Sequence, residues 1–224
     1  MRNAALFDFD NTLIDGDSQG LEVEYFRRHG DISFGRFAHI ALVYLLHTLK
    51  AAPKAALVLS CIAAYRGLNY RELTEHGDRF FREVTSRRFF PEVLDRMRQH
   101  REQGDLVAVL SASPAHLVIP ATRALGVDLV ITTVIEADSG GSLTGHTRGP
   151  VNIGSVKADA ALALLAEHGI DPSHAVAYSD DQADLEFLLA AGAAVAVNPT
   201  PRLARIAEKR GWEIIRPTIT GDLD

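Results

Sequence analysis

Two kinds of hydrophobic spacing alternate along this chain. Beyond residue 90, short apolar or β-branched runs at 106–110, 129–132, 175–178, 193–197 and 213–215 are separated by longer stretches with helical spacing. That alternation is the signature of βαβ units on a parallel sheet. The helices expected in the intervals span 91–103, 114–125, 156–168 and 182–191, followed by Gly104, Gly126, Gly169 and Gly192. A glycine just past a helix supplies the left-handed residue on which many helices end. Residues 4–9 read as one more strand, so the sheet begins there, breaks off and resumes after residue 90.

The interruption carries helical periodicity at 21–28, 37–49, 54–65 and 70–85 and no strand pattern. The expected fold class is therefore α/β, a Rossmann-like three-layer parallel-sheet core from residues 1–16 and 89–224 with an inserted α-helical cap domain over 17–88. Gly140-Gly141 between two short polar runs predicts a β-hairpin within 134–149. The apolar segment 37–65 is divided by Lys50, Pro53 and Lys54 into halves shorter than the roughly 20 residues a spanning helix needs. Two packed helices and no membrane span are expected, and any apolar surplus left exposed on them would suit a lipid phosphate substrate or a dimer contact.

Composition narrows the partners. The chain has 224 residues, 47% apolar and 23% charged, enough to bury a sizeable core. A net charge of -6 with no basic stripe argues against nucleic acid and for a small soluble substrate. Cys61 is the single cysteine, which excludes an intramolecular disulfide and a multi-cysteine zinc site; its apolar neighbours place it in a core. The apolar stretch at the N-terminus is too short for a signal peptide, so a cytoplasmic protein is expected.

The chemistry-bearing residues sit at predicted strand ends, where open parallel sheets bind ligands. Asp8 and Asp10 follow the first strand, two residues apart on one side of an extended chain. Asp180, Asp181 and Asp184 follow the strand 175–178, and carboxylates from two strand ends would form a cup for a hard cation such as Mg²⁺. Ser111-Ala112-Ser113-Pro114 leads from a strand into a helix N-terminus, a place for an anion. Lys157 opens a helix, where the helix dipole does not favour a cation unless an anion is bound. Each feature also has a plainer use: Asp, Asn, Ser and Thr at these points cap helices, and one of the three later aspartates is expected to do so.

Together these residues resemble the haloacid dehalogenase superfamily, and within it subfamily IB, the phosphoserine-phosphatase-like branch with a helical cap after the first motif. Asp8-Phe9-Asp10-Asn11-Thr12-Leu13 is similar to the first motif, Ser111 to the second, Lys157 to the third and Asp180-Asp181-Gln182-Ala183-Asp184 to the fourth. The resemblance implies a phosphoric monoester hydrolase in which Asp8 is the nucleophile and forms an aspartyl-phosphate, with Asp10 as general acid and base. It implies Mg²⁺ held by Asp8, the Asp10 backbone carbonyl and Asp180, with Asp181 and Asp184 in support. Thr12, Ser111, Ala112 and Lys157 would hold the phosphoryl group, Asn11 would bond locally in the turn, and Asp17 would face the substrate.

The substrate implied is a small phosphorylated metabolite, phosphoserine-like or histidinol-phosphate-like, and the protein could form a homodimer. Some positions differ from the phosphoserine enzymes: Asp17 stands for a glutamate, Ser111-Ala112-Ser113 for Ser-Gly-Gly, Asp181 for a serine and Ser179 for a glycine. Arg27, Arg28 and Arg36 are candidates for a carboxylate clamp. The rival readings are a dehalogenase, which has no need of Asp10 or a metal cup, and a phosphorylated receiver domain, too short for a 70-residue cap. A binding module without turnover is a third, against which the intact motif residues count.

Overall fold

Ala4, Ala5, Leu6 and Phe7 form the first strand and all four are buried, as expected for a parallel strand covered on both faces. The computed structural model describes residues 3–29, 34–49, 53–127 and 129–217. Its strands are β1 (Ala4–Phe7), β2 (Leu106–Pro114), β3 (Leu129–Thr133), β4 (Ile135–Ala137), β5 (Leu143–Thr147), β6 (Ala175–Ser179), β7 (Ala193–Val197) and β8 (Glu213–Ile215). Six of them make a parallel sheet in the order β3-β2-β1-β6-β7-β8, and β4 with β5 forms the antiparallel hairpin predicted around Gly140-Gly141.

The helices are α1 (Ser18–His29), α2 (Phe34–Thr48), α3 (Lys54–Ala64), α4 (Tyr70–Glu83), α5 (Pro91–Glu102), α6 (Ala115–Ala124), α7 (Ser155–Glu167), α8 (Leu185–Ala190) and α9 (Pro201–Arg210). Period two divides the strands between two cores. Ala5, Phe7, Val109, Tyr178 and Val195 face α5 and α6 through Val93, Met97, Leu117 and Val118. Ala4, Leu6, Ala108, Ala177 and Ala196 face α7, α8 and α9 through Ala161, Leu165, Phe187 and Leu203. Small residues on this second face let the helices approach the sheet closely. The result is the three-layer α/β sandwich expected, with α1 to α4 all lying between β1 and β2 in the chain.

Several boundaries differ from expectation. Strand β1 stops at Phe7, so Asp8 and Phe9 lie beyond it, although the Asp8 N–H still bonds the Tyr178 carbonyl at 2.9 Å. Strand β2 continues to Pro114, so α6 starts one residue later than predicted. The predicted helix 182–191 is a 3₁₀ turn, Gln182–Asp184, followed by α8. Helix α9 was not expected, although Thr200 caps it, Pro201 opens it and left-handed Gly211 closes it, which are start and stop signals legible in the sequence.

Gly104, Gly126 and Gly169 have the positive φ expected, whereas Gly192 does not. A Cβ there would lie 2.2 Å from the Ser173 carbonyl oxygen, so Gly192 is needed for close approach rather than for handedness.

Gly77 has a comparable role where α4 crosses α6: its Cβ would lie 2.1 Å from the His116 carbonyl oxygen. In an unconstrained helix, Gly→Ala stabilises by about 1 kcal/mol. Here Gly77→Ala is expected to have the opposite sign and to cost about 2 kcal/mol through overpacking. Urea unfolding of the two proteins tests this, and a stabilised variant would show that the crossing is loose.

Candidate functional site

The order of the sheet brings the carboxyl ends of β2, β1 and β6 side by side. Ser111 lies near the end of β2, Asp8 follows β1, and Asp180 follows β6. Lys157, two residues into α7, is 1% exposed and its Nζ lies 2.6 Å from both Asp8 Oδ1 and Asp184 Oδ2. The Ser179 hydroxyl donates to the same Asp184 oxygen at 2.9 Å. The lysine also stands 5.0 Å from the centre of the Phe187 ring, a further attraction for a buried cation.

Asp10 is fixed by different elements. Its Oδ1 accepts the Ser18 N–H at 2.8 Å, at the start of α1, and its Oδ2 accepts the Ser113 hydroxyl at 2.6 Å. The Ser18 hydroxyl donates to Ser113 Oγ at 3.0 Å, and the Ser113 N–H bonds Ser111 Oγ at 3.1 Å. The intervening turn needs a left-handed residue, which Asn11 supplies with φ 54°, and its N–H bonds the Gly16 carbonyl.

Concentrated negative charge dominates the site. Burial raises the Asp8 pKa to about 6, with Lys157 pulling it down and Asp184 pushing it up. Asp10 is raised by burial and by nearby Asp17, and Asp180 lies well above the usual carboxylate range through burial, opposed by Lys54. Burial alone would lower the Lys54 pKa, yet Asp180, Asp8, Asp17 and Asp10 together hold it well above its ordinary value. Lys54 is the first residue of α3, so this helix brings a second cation to the carboxylates.

The residues fit a bound divalent cation. Asp8 Oδ2 and Asp180 Oδ1 are buried oxygens without a hydrogen-bond partner, the atoms a cation would satisfy. Among the described residues, no three His, Cys, Asp or Glu side chains converge as a metal cluster. A donor set of two carboxylates completed by backbone oxygen and water would suit Mg²⁺ better than zinc.

The other candidate residues separate into two groups. Thr12 is buried with an unpartnered hydroxyl, and Asp184 bonds Lys157. Asp17 Oδ1 accepts the Gly20 N–H in the first turn of α1, and Asp181 caps its 3₁₀ turn by accepting the Ala183 N–H at 2.7 Å. The Ala112 methyl is buried in an apolar cluster with Val58 and Ile62, which leaves only its backbone for a ligand. Arg27 and Arg28 pair with Glu24 on the exposed side of α1, away from a clamping role, and the Arg36 side chain lies outside the described residues. Cys61 is buried and free.

Sequence reasoning missed Ser18, Ser113 and Lys54. Ser113 had a signal, two residues from Ser111 on one strand, whereas Lys54 had none. It also missed a buried cluster around Glu22, one turn along α1 from Ser18. Glu22 Oε1 accepts from His76 Nε2 and His116 Nε2, each at 2.9 Å, and the Tyr65 hydroxyl donates to Oε2. Burial pushes the Glu22 pKa up, but His116 and His76 outweigh it and bring it down to about 2. This cluster ties α1, α3 and α4 to α6, beside the strand end that carries Ser111 and Ser113.

Comparison with known proteins finds relatives that match along most of the chain. Residues 5–189 match the family model described as haloacid dehalogenase-like hydrolase. The chain is 31% identical over 216 residues to phosphoserine phosphatase SerB1 of Mycobacterium tuberculosis, covering 94% of this chain and 70% of that protein. It is 27% identical over 219 residues to a histidinol-phosphatase of Neisseria meningitidis, covering 96% and 99%. The solved structure of a protein of unknown function from Bordetella pertussis superposes with a TM-score of 0.87 at 26% identity, covering 97% of this chain and all of that one.

The Glu22 cluster carries a pH prediction. A carboxylate with a depressed pKa contributes stability in full above its ordinary value of 4.5 and loses it as pH falls towards about 2. Glu22→Gln is expected to cost about 3 kcal/mol near neutral pH, since both imidazoles lose their charged partner. The cost should shrink as pH is lowered through that window. Denaturant unfolding of both proteins at a series of pH values measures it, and a pH-independent difference would contradict the assignment.

Proposed function

The chain belongs to the haloacid dehalogenase-like hydrolases, and on that premise we propose that it is a Mg²⁺-dependent phosphatase working through an aspartyl-phosphate on Asp8. One observation carries this reading: Asp8, Asp10, Ser111, Lys157 and Asp180 meet at three adjacent strand ends, and two of the carboxylates have unpartnered buried oxygens.

In the first step an Asp8 carboxylate oxygen attacks phosphorus in line as the bond to the leaving oxygen breaks, and Asp10 gives that oxygen a proton. In the second, Asp10 takes a proton from water as the water oxygen attacks phosphorus and restores the Asp8 carboxylate. Ser113 and the Ser18 N–H hold Asp10 in place for both transfers. Lys157 orients Asp8, and with the Ser111 hydroxyl and the Thr12 side chain it would stabilise charge on the phosphoryl oxygens. A Mg²⁺ ion held by Asp8, Asp180 and the Asp10 carbonyl would offset the repulsion between carboxylates and phosphate.

Residues 17–88 would act as a cap over a core of 1–16 and 89–224, with Lys54 entering the site from the cap side. Closure would exclude water other than the attacking one. The relatives named above suggest an amino-alcohol phosphate of the phosphoserine or histidinol phosphate kind. Asp17 would offer its charge to the substrate ammonium, and the compartment we propose is the cytoplasm.

Release of phosphate from phosphoserine, histidinol phosphate, sugar phosphates and an aryl phosphate, with Mg²⁺ or EDTA, tests the reading. Turnover should require the metal and fall by about 10³-fold or more in Asp8→Asn and in Asp10→Asn. Lys157→Met should lower it by about 10²-fold. Turnover surviving in Asp8→Asn would overturn the covalent mechanism, and wild type inert on every ester would favour a binding module.

A further inference from the structure

The two lysines of the site are held differently. Lys157 is locked between Asp8 and Asp184, at 2.6 Å from each. Lys54 is half-buried and makes no hydrogen bond or ion pair among the described residues. Its place is fixed by packing instead. Lys54, Val58 and Ile62 follow the i, i+4, i+8 spacing of one helical face. Val58 and Ile62, both 0% exposed, share an apolar cluster with Ala112, which lies between Ser111 and Ser113 on β2. One turn towards the helix start, the same face presents Lys54 to Asp180, Asp8, Asp17 and Asp10, all within its electrostatic reach.

A cation in the first turn of a helix is opposed by the helix dipole, and partial burial takes away some of its hydration. The anions it faces offset both costs. Although burial lowers its pKa, these carboxylates hold it well above the ordinary lysine value, so Lys54 is charged at neutral pH.

Its position against the metal donors limits what that charge can do. Of the carboxylates, Asp180 acts on Lys54 most strongly, and Asp180 Oδ1 and Asp8 Oδ2 are the unpartnered oxygens that would take Mg²⁺. A divalent charge placed there offsets the carboxylates that hold Lys54 and sets like charge against it. A phosphate dianion entering between the ammonium and those oxygens reverses the sign, because it attracts both cations.

We propose that Lys54 is a phosphate-binding residue contributed by the inserted helices, and that its ammonium makes Mg²⁺ and the phosphoryl group depend on each other for binding. Lys54 opposes the metal alone and favours the metal with phosphate. By linkage, Mg²⁺ must then strengthen phosphate binding by the same factor as phosphate strengthens Mg²⁺ binding. The proposal rests on the phosphatase reading for the identity of its ligands, and not on turnover.

The experiment is calorimetric titration of the full chain with Mg²⁺, without and with saturating inorganic phosphate, on wild type, Lys54→Met and Lys54→Arg. Hydrolysis of an aryl phosphate and of phosphoserine is measured on the same proteins. Lys54→Met is expected to bind Mg²⁺ alone about tenfold more tightly, and inorganic phosphate in the presence of Mg²⁺ about tenfold more weakly. Lys54→Arg should stay near wild type on both, since it keeps the charge. Shifts of opposite sign separate a charge that discriminates between ligands from a structural residue, whose loss would weaken both. Unchanged Mg²⁺ affinity in Lys54→Met, or weakening of both ligands, would overturn the proposal. So would a loss confined to phosphoserine with inorganic phosphate binding intact, since Lys54 would then read the leaving group. Shifts of opposite sign in proteins inert on every ester would uphold the linkage and fail the phosphatase reading alone.

Discussion

A buried ammonium between two buried carboxylates sets the terms for the rest of the molecule. Lys157 comes from α7, Asp8 from the end of β1 and Asp184 from the turn after β6, and all three are nearly out of water. Removing such charges from solvent costs several kcal/mol per ion unless geometry and further hydrogen bonds compensate. The sheet order that makes β1 and β6 neighbours, the Ser179 hydroxyl and the Phe187 ring all serve that requirement. What remains after the pairing is an excess of carboxylate, with one oxygen each of Asp8 and Asp180 unpartnered. A bound cation would offset that excess, so the same charge imbalance that strains the fold marks where a ligand would sit.

The helices inserted after β1 are joined to this centre by polar contacts. Ser18 bonds Asp10 and Ser113, and four residues later Glu22 gathers His76, His116 and Tyr65. Ser18 and Glu22 lie one helical turn apart, so a single face of α1 reads both the acid of the site and the start of α6. Gly77 makes the crossing close enough for His76 and His116 to share one carboxylate. A movement of α1 would therefore disturb Asp10 and the Glu22 cluster together.

Helix α2 stands apart from this economy. Its inner face is used as an amphipathic helix ordinarily uses one, while its outer leucines have no partner within the chain among the described residues.

Much of this was legible in the chain before folding. Short apolar runs and helix stops placed the sheet, and Asp8, Asp10, Ser111 and Asp180 stood out at strand ends, where a parallel sheet exposes side chains to ligands, with Lys157 at a helix start. These are local signals, carried by a few adjacent residues and their dihedral preferences. Boundaries such as the end of β1 at Phe7, and the reason for Gly192, depended on contacts with distant backbone. Ser18, Lys54 and the Glu22, His76 and His116 cluster were beyond local reading, since each residue is ordinary in its own segment and gains its role from distant partners, 95 positions away for Ser18 and Ser113 and 94 for Glu22 and His116. The sequence by itself determined which residues could hold a phosphate and where along the chain they fall. Only the tertiary structure decided which charges are buried together, because pairing and desolvation depend on distances that close when the sheet and helices assemble.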